Sequence, residues 1–321
     1  MFFLIFSVIH PLLNRHPALI IEAEKEEGIA MKTAGIIFTI LSALLFAISP
    51  VLVSWTYGWG NNPLTMVLFR NLFVLPVLFV LMKRDHIAVR LPRDQFFQLL
   101  FVAAMGSCLT PLLLYSSYTY VGVGTGTTLH FFYPIFVALF CRFFYHEKLG
   151  QAKVLALILA LTGTLFFMDF SNLKNLAGVA TALASGMTYA FYMVLLEKKG
   201  LSRLNPFLCS FWLALFAAAD LFVVGSFTDV LCFQQPVISY LTMIVIAMMT
   251  SFLAVVLLQK GIETLGSSTA SIFCLFEPIG SVICGALFLH ENLTPAKILG
   301  CLIIILAVVL LILAEWQKSE R

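Results

Sequence analysis

The sequence predicts an all-α integral membrane protein with ten transmembrane helices, arranged as two inverted five-helix repeats. Three observations carry that prediction. Of 321 residues, 61% are hydrophobic and only 11% are charged. The apolar residues fall into long runs separated by short breaks. A set of Gly, Pro, His, Glu and Lys positions also recurs about 144 residues further along the chain.

Composition sets the class. Soluble domains are roughly 45–50% apolar and about 25% charged, so this chain could not cover a water-facing surface, and a soluble enzyme is excluded. The same hydrophobicity excludes a disordered chain. A net charge of +3 is too small to imply a nucleic-acid partner. The 31 phenylalanines suit a surface that faces lipid.

A helix needs about 20 mainly apolar residues to cross a bilayer. Ten runs qualify: residues 33–54, 64–82, 96–118, 124–145, 152–168, 176–196, 206–227, 237–259, 267–289 and 295–316. Continuous apolar runs, rather than alternation, favour helices over a β-barrel. Only short loops remain, which leaves no room for a soluble catalytic domain. Seven cysteines, none in a C-x-x-C pair, read as small buried hydrophobes and give no zinc or redox motif.

The segment before the first span has a different character. Residues 1–21 are apolar but interrupted by Pro11, Asn14, Arg15, His16 and Pro17, and no basic stretch precedes Phe2 as a signal peptide would require. Lys25-Glu26-Glu27-Gly28 is encodable by a purine-rich string resembling a bacterial ribosome-binding site just upstream of Met31. Met31 is therefore the expected start, with residues 1–30 a non-native extension; the rival reading is an amphipathic or re-entrant segment. The two repeats are then 31–169 and 170–321.

Lys and Arg fix the expected orientation. With the amino terminus inside, the inner loops and ends hold Lys32, Lys83, Arg84, Arg90, Arg93, Arg142, Lys148, Lys153, Lys198, Lys199, Arg203, Lys260, Lys318 and Arg321, and the outer ones only Lys174 and Lys297. Both termini are expected in the cytoplasm, the chain lying in the inner (plasma) membrane. Trp55, Tyr57, Trp59 and Trp316 sit at span ends, where an aromatic belt belongs.

The repeat is visible residue by residue. Gly122 matches Gly266, Thr125 matches Thr269, and Pro134-Ile135 matches Pro278-Ile279. His146-Glu147 matches His290-Glu291, and Ala152-Lys153 matches Ala296-Lys297. At one residue less, Ala34-Gly35 matches Ala177-Gly178 and Pro63 matches Pro206. Five spans per half is odd, so the second half enters from the opposite side. Inverted halves can exchange conformations around one midplane site, which is what a transporter requires.

These features resemble the EamA-type branch of the drug/metabolite transporter superfamily. The resemblance rests on the two five-helix halves, Arg70-Asn71, Glu277-Pro278, and the ends Glu147-Lys148-Leu149 and Glu291-Asn292-Leu293. It implies ten helices, export or exchange of small metabolites, and a cavity lined by helices 1, 3, 4, 6, 8 and 9 with helices 5 and 10 peripheral.

Charge inside a membrane is expensive and usually functional. Glu277 sits mid-span before Pro278; its repeat counterpart is Tyr133, with His130 nearby. A Glu and a His in apolar surroundings can have perturbed proton affinities, and are the candidates for proton coupling. Arg70 can snorkel or pair with a carboxylate, and Asp220 is expected in an interhelical hydrogen bond. Tyr189 and Tyr192 share a helix face. Ser107, Thr110, Pro111 and Tyr115 line the third span, with Ser251 and Gln259 as the repeat counterparts of Ser107 and Tyr115. The predicted substrate site is therefore Arg70, Asn71, Ser107, Tyr115, His130, Tyr133, Tyr189, Tyr192 and Glu277.

An aromatic site with one acid suits an amino acid-like, nucleobase-like or lipophilic cationic solute, and not a sugar phosphate, which calls for paired Lys or Arg. Glu147 and Glu291 are read as carboxylates favouring helix starts, and Thr294-Pro295 as a helix cap. The His-Glu pairs lack the second His of a zinc protease, and Gly122-x-Gly124-x-Gly126 follows a membrane helix rather than a strand. No metal, cofactor or nucleotide site is expected. The absence of a Walker A motif leaves a solute or ion gradient, protons included, as the energy source. The rival classes are an intramembrane enzyme, which lacks a paired nucleophile and base, and a flippase for a lipid-linked substrate or an accessory subunit.

Overall fold

A computed structural model of the chain describes residues 24–168, 174–288 and 293–320. Most of the predicted extension, together with His290 and Glu291, lies outside the described residues. Helices fill nearly all of the rest.

The ten spans are present, several of them built from more than one piece. Helices Glu24–Ala47 and Ser49–Gly58 form the first, broken at Ile48 ahead of Pro50. Pro63–Arg84 is the second, capped by the Asn62 side chain, which accepts from the Thr65 N–H at 2.9 Å. The third begins at Arg93, widens into a π-helical stretch at Ala104–Leu109, and runs on through Thr110. The fourth continues to His130, breaks, and resumes as Tyr133–Tyr145. Gln151–Leu165 is the fifth, Leu176–Lys198 the sixth and Pro206–Thr228 the seventh. The eighth is Val237–Ile246, a second π-helical stretch Ala247–Ala254, and Val255–Leu265. Ser267–Phe273 and Phe276–Phe288 make the ninth, and Pro295–Glu320 the tenth. Thr294 caps that last helix as expected, accepting from the Lys297 N–H at 3.3 Å.

The irregularities repeat with the sequence. π-Helical stretches occupy matching places in spans three and eight. Both spans end on a glycine in a mirror-image extended conformation, Gly122 at φ 77°, ψ 162° and Gly266 at φ 76°, ψ 158°. Only glycine adopts that region freely. The loop expected between spans three and four thus shrinks to one residue. Spans four and nine both break one turn before Pro134 and Pro278, whose rings cannot continue the helix behind them.

Packing obeys the same exchange of halves. Span one packs on spans eight and nine, and span six packs on spans three and four. Spans two and seven pair with each other, as do five and ten. At the last of these crossings a Cβ on Gly163 would lie 2.8 Å from the Gly300 carbonyl, and one on Gly300 would lie 2.6 Å from that of Gly163. Small residues allow this backbone approach where no hydrophobic force separates helix from lipid. Outward-facing positions are apolar, with Phe143 70% and Phe227 86% exposed. Spans five and ten stand at the edge, and the remaining helices enclose the middle.

Candidate functional site

The candidate site is a cavity inside the helix bundle, where the two halves meet. Its volume is about 70 Å³, small beside the roughly 300–1,000 Å³ of typical small-molecule pockets. Spans one, two, three, four, six, eight and nine all contribute to its wall.

The third span supplies the largest share, because of how it is bent. Pro111 has no N–H to offer the Ser107 carbonyl one turn back, and the helix widens there into its π-helical stretch. Side chains add donors to carbonyls of this stretch. Asn71 Nδ2 donates to Ser107 O at 3.3 Å, and Thr110 Oγ1 donates to Met105 O at 2.8 Å. Gly106 lies in the same stretch. A Cβ there would sit 2.2 Å from Cδ2 of Tyr192, so glycine alone lets that ring lie against the third span.

Arg70 enters from the second span and is only 7% exposed. Its Nε donates to Ser251 Oγ at 2.9 Å and its Nη1 to the Tyr115 hydroxyl oxygen at 2.8 Å. That hydroxyl also meets Ser49 Oγ at 3.0 Å, so spans one, three and eight hold one guanidinium. Glu277 enters from the first turn of Phe276–Phe288, 8% exposed. No described residue gives it a hydrogen bond or an ion pair.

His130 is held by Ser185, with 2.8 Å between Nδ1 and Oγ. Its ring leans on Tyr133 and Tyr189, both with centroids 5.5 Å away. Tyr133 meets Tyr189 edge-on at 4.9 Å, and Tyr189 stacks on Tyr192 at 5.8 Å.

Seven of the nine predicted site residues line this one cavity: Arg70, Ser107, Tyr115, His130, Tyr189, Tyr192 and Glu277. Asn71 and Tyr133 stand behind the wall. Asn71 bonds backbone carbonyls, Val67 O at 2.8 Å as well as Ser107 O, and Tyr133 is fully buried against the rings of His130 and Tyr189.

Three other expectations change. Gln259 does not share the role of its repeat counterpart Tyr115; its amide donates to Leu204 O at 2.8 Å and Ser202 O at 3.1 Å, tying the eighth span to the turn after the sixth. Asp220 makes no hydrogen bond with a described residue and is half-buried on the seventh span. Glu147 caps no helix; it accepts from Lys198 Nζ at 3.0 Å.

Lys198 belongs to a network at one end of the bundle. It also bonds Glu197 Oε1 at 2.8 Å, and Glu197 Oε2 accepts from the Ser267 N–H at 2.7 Å and from its hydroxyl. The sixth span is thereby tied to the segment after the fourth and to the ninth just past Gly266. Glu197 lies five residues beyond Tyr192, about 7.5 Å along the helix axis.

Sequence reading missed Ser49, Tyr118, Phe46 and Val255 in the wall. Ser49 was detectable in principle, as the hydroxyl before a mid-span proline. The others carry no signal among so many apolar neighbours. Among the described residues no group of three or more His, Cys, Asp or Glu could hold a metal.

The family comparison decides the class. Residues 33–168 match the EamA-like transporter family, and residues 176–313 match it again. The chain belongs to that family. It is a membrane transporter, as the names of its relatives agree. It is 28% identical over 297 residues to the uncharacterized transporter YcbK of Bacillus subtilis, covering 87% of this chain and 93% of that one. It is 24% identical over 313 residues to the uncharacterized transporter sll1319 of Synechocystis, covering 86% and 92%. Solute carrier family 35 member G1 of Homo sapiens is 25% identical over 196 residues, 56% of this chain and 52% of that protein. A solved chain described as "Crystal structure of protein" superposes with a TM-score of 0.73 at 15% identity, covering 87% of this EamA-like chain and 98% of its own. That likeness shows the fold.

Proposed function

We propose that the chain is a secondary-active transporter that moves a small metabolite by alternating access, for export or exchange. The observation that carries this reading is the position of the cavity: both halves line it, and the halves are inverted copies with matching breaks. Such halves can swap conformations and so present one site to either face. The candidate solutes are amino acid-like, nucleobase-like or lipophilic cationic compounds. The excess of Lys and Arg around Lys83, Lys148 and Lys198 supports cytoplasmic termini and an inner-membrane location. Glu277 and His130 are the groups through which a proton gradient would act.

Counterflow tests the reading. Liposomes containing the purified protein, preloaded with an unlabelled small-metabolite extract, are diluted into the same extract uniformly labelled with ¹³C. Mass spectrometry should show one or a few labelled compounds rising transiently above the external level. A channel gives equilibration without overshoot, and accumulation no better than in protein-free liposomes overturns the proposal.

A further inference from the structure

Ser185 lies on the sixth span, fully buried and outside the cavity wall. The span comes close to the fourth here because residue 186 is glycine: a Cβ on it would lie 2.8 Å from the His130 carbonyl oxygen. The Ser185 hydroxyl makes two short contacts, 2.6 Å to the Ala182 carbonyl oxygen and 2.8 Å to His130 Nδ1. Together they settle where a proton sits. Two oxygens 2.6 Å apart need a hydrogen between them, and the carbonyl has none to give. The hydroxyl therefore spends its one proton on Ala182 and turns a lone pair to the imidazole.

Nδ1 is then the donor of that contact. In the neutral ring this leaves Nε2 with a lone pair and no hydrogen. Protonation adds its hydrogen at Nε2 and leaves Nδ1–H in place. Nε2 has no hydrogen bond with a described residue. It is also not one of the buried side-chain atoms without a partner, which are the Tyr133 and Tyr192 hydroxyls, Ser210 Oγ and Gln259 Oε1. It borders open space instead, and the open space that His130 lines is the cavity. Tyr133 and Tyr189 flank the ring, centroids 5.5 Å away, without bonding to it.

We infer that Ser185 is a positioning residue: it holds neutral His130 as the Nδ1–H tautomer, so that solute and proton meet the ring only at Nε2. The inference rests on the transporter reading for its purpose, but not for its geometry. An unguided ring would turn toward the Nε2–H form that free histidine prefers, and would show the cavity a donor in place of an acceptor. Ser185 thus sets the chemistry of a wall to which it does not itself belong.

NMR of the detergent-purified protein carrying ring-¹⁵N histidine tests this, at alkaline pH where imidazole is neutral. Two-bond ¹H–¹⁵N couplings show which nitrogen bears the hydrogen, and His130→Gln identifies the His130 signals. The parent should show Nδ1–H and Ser185→Ala mainly Nε2–H, while Ser185→Thr, which keeps a hydroxyl, should retain the parent's pattern. In the counterflow assay with the ¹³C-labelled extract, Ser185→Ala should cut the overshoot severalfold at equal protein, and Ser185→Thr should restore it. Nε2–H in the parent overturns the inference without any variant having to fold. An unchanged tautomer in Ser185→Ala overturns it as well. So does a full overshoot from a Ser185→Ala protein whose tautomer has switched, because the cavity then makes no use of Nε2. A parent with Nδ1–H but no counterflow removes the transporter reading instead, and leaves the tautomer assignment standing.

Discussion

The side-chain amide of Asn71 donates to the carbonyl of Ser107, 3.3 Å away, where Pro111 supplies no N–H. Arg70 and Asn71 are neighbours in sequence with separate tasks: one faces the cavity, the other repairs the helix that forms its wall.

Asn71→Ala therefore removes a side-chain donor from the half-buried Ser107 carbonyl, at a cost of about 1 kcal/mol. The expected outcome is a lower melting temperature in detergent, with solute affinity in the surviving folded protein close to the parent. A large affinity loss with unchanged melting would place Asn71 in the site after all.

Gly106→Ala should act through Tyr192. The new Cβ would sit 2.2 Å from that ring, which must swing into the cavity or away from its stack on Tyr189. Solute affinity should fall, and adding Tyr192→Ala should recover the yield and stability of the single variant. If Gly106→Ala is silent alone, the tight contact does not shape the cavity.

How much of this was legible follows from the same residues. Ten spans, the inverted repeat and seven cavity-lining positions are readable because lipid demands long apolar runs, and because Gly, Pro and charged residues stand out against them. The partner of Arg70 was not readable, since Ser251 and Tyr115 are hydroxyls that any helix tolerates. Asn71 misleads for a related reason: a polar residue inside a span signals a need, and backbone repair is as real a need as binding. Glu147 reads as a helix-start carboxylate because its partner, Lys198, lies 51 residues away on another span.

Glu277→Gln keeps size and hydrogen-bonding capacity but cannot exchange a proton. If Glu277 couples solute movement to protons, the variant should fold and still exchange solute between equal pools, yet lose accumulation driven by a pH gradient. Retained pH-driven accumulation in a well-folded variant would remove protons from the mechanism.

Lys198→Gln should loosen the end of the bundle that Glu147, Glu197 and Ser267 close. In a cysteine-free background, Ser268→Cys reports on that end, because Ser268 is only 4% exposed and follows the bridged Ser267. Labelling by a membrane-impermeant maleimide in inside-out vesicles should quicken severalfold with Lys198→Gln. An unchanged rate would mean that the ionic contacts do not hold the end shut.

The two halves are copies, but their ends are not. Ser54 and Trp55 stand where the second half has Glu197 and Lys198, so this set of ionic ties has no copy at the matching position of the first half. A protein with equal halves would dwell equally in either orientation, and its two faces would saturate at the same solute concentration. Under the proposed alternating access, these ties would bias the unloaded protein toward the orientation with that end shut, and solute arriving from the shut side would see only the fraction that is open. Its apparent dissociation constant on that side rises by the inverse of that fraction, about tenfold for every 1.4 kcal/mol of bias. The proposed carrier would then act as a rectifier, with unequal half-saturation on its two faces before any gradient is applied. Because the ties are charges at a wet boundary, salt should narrow the difference.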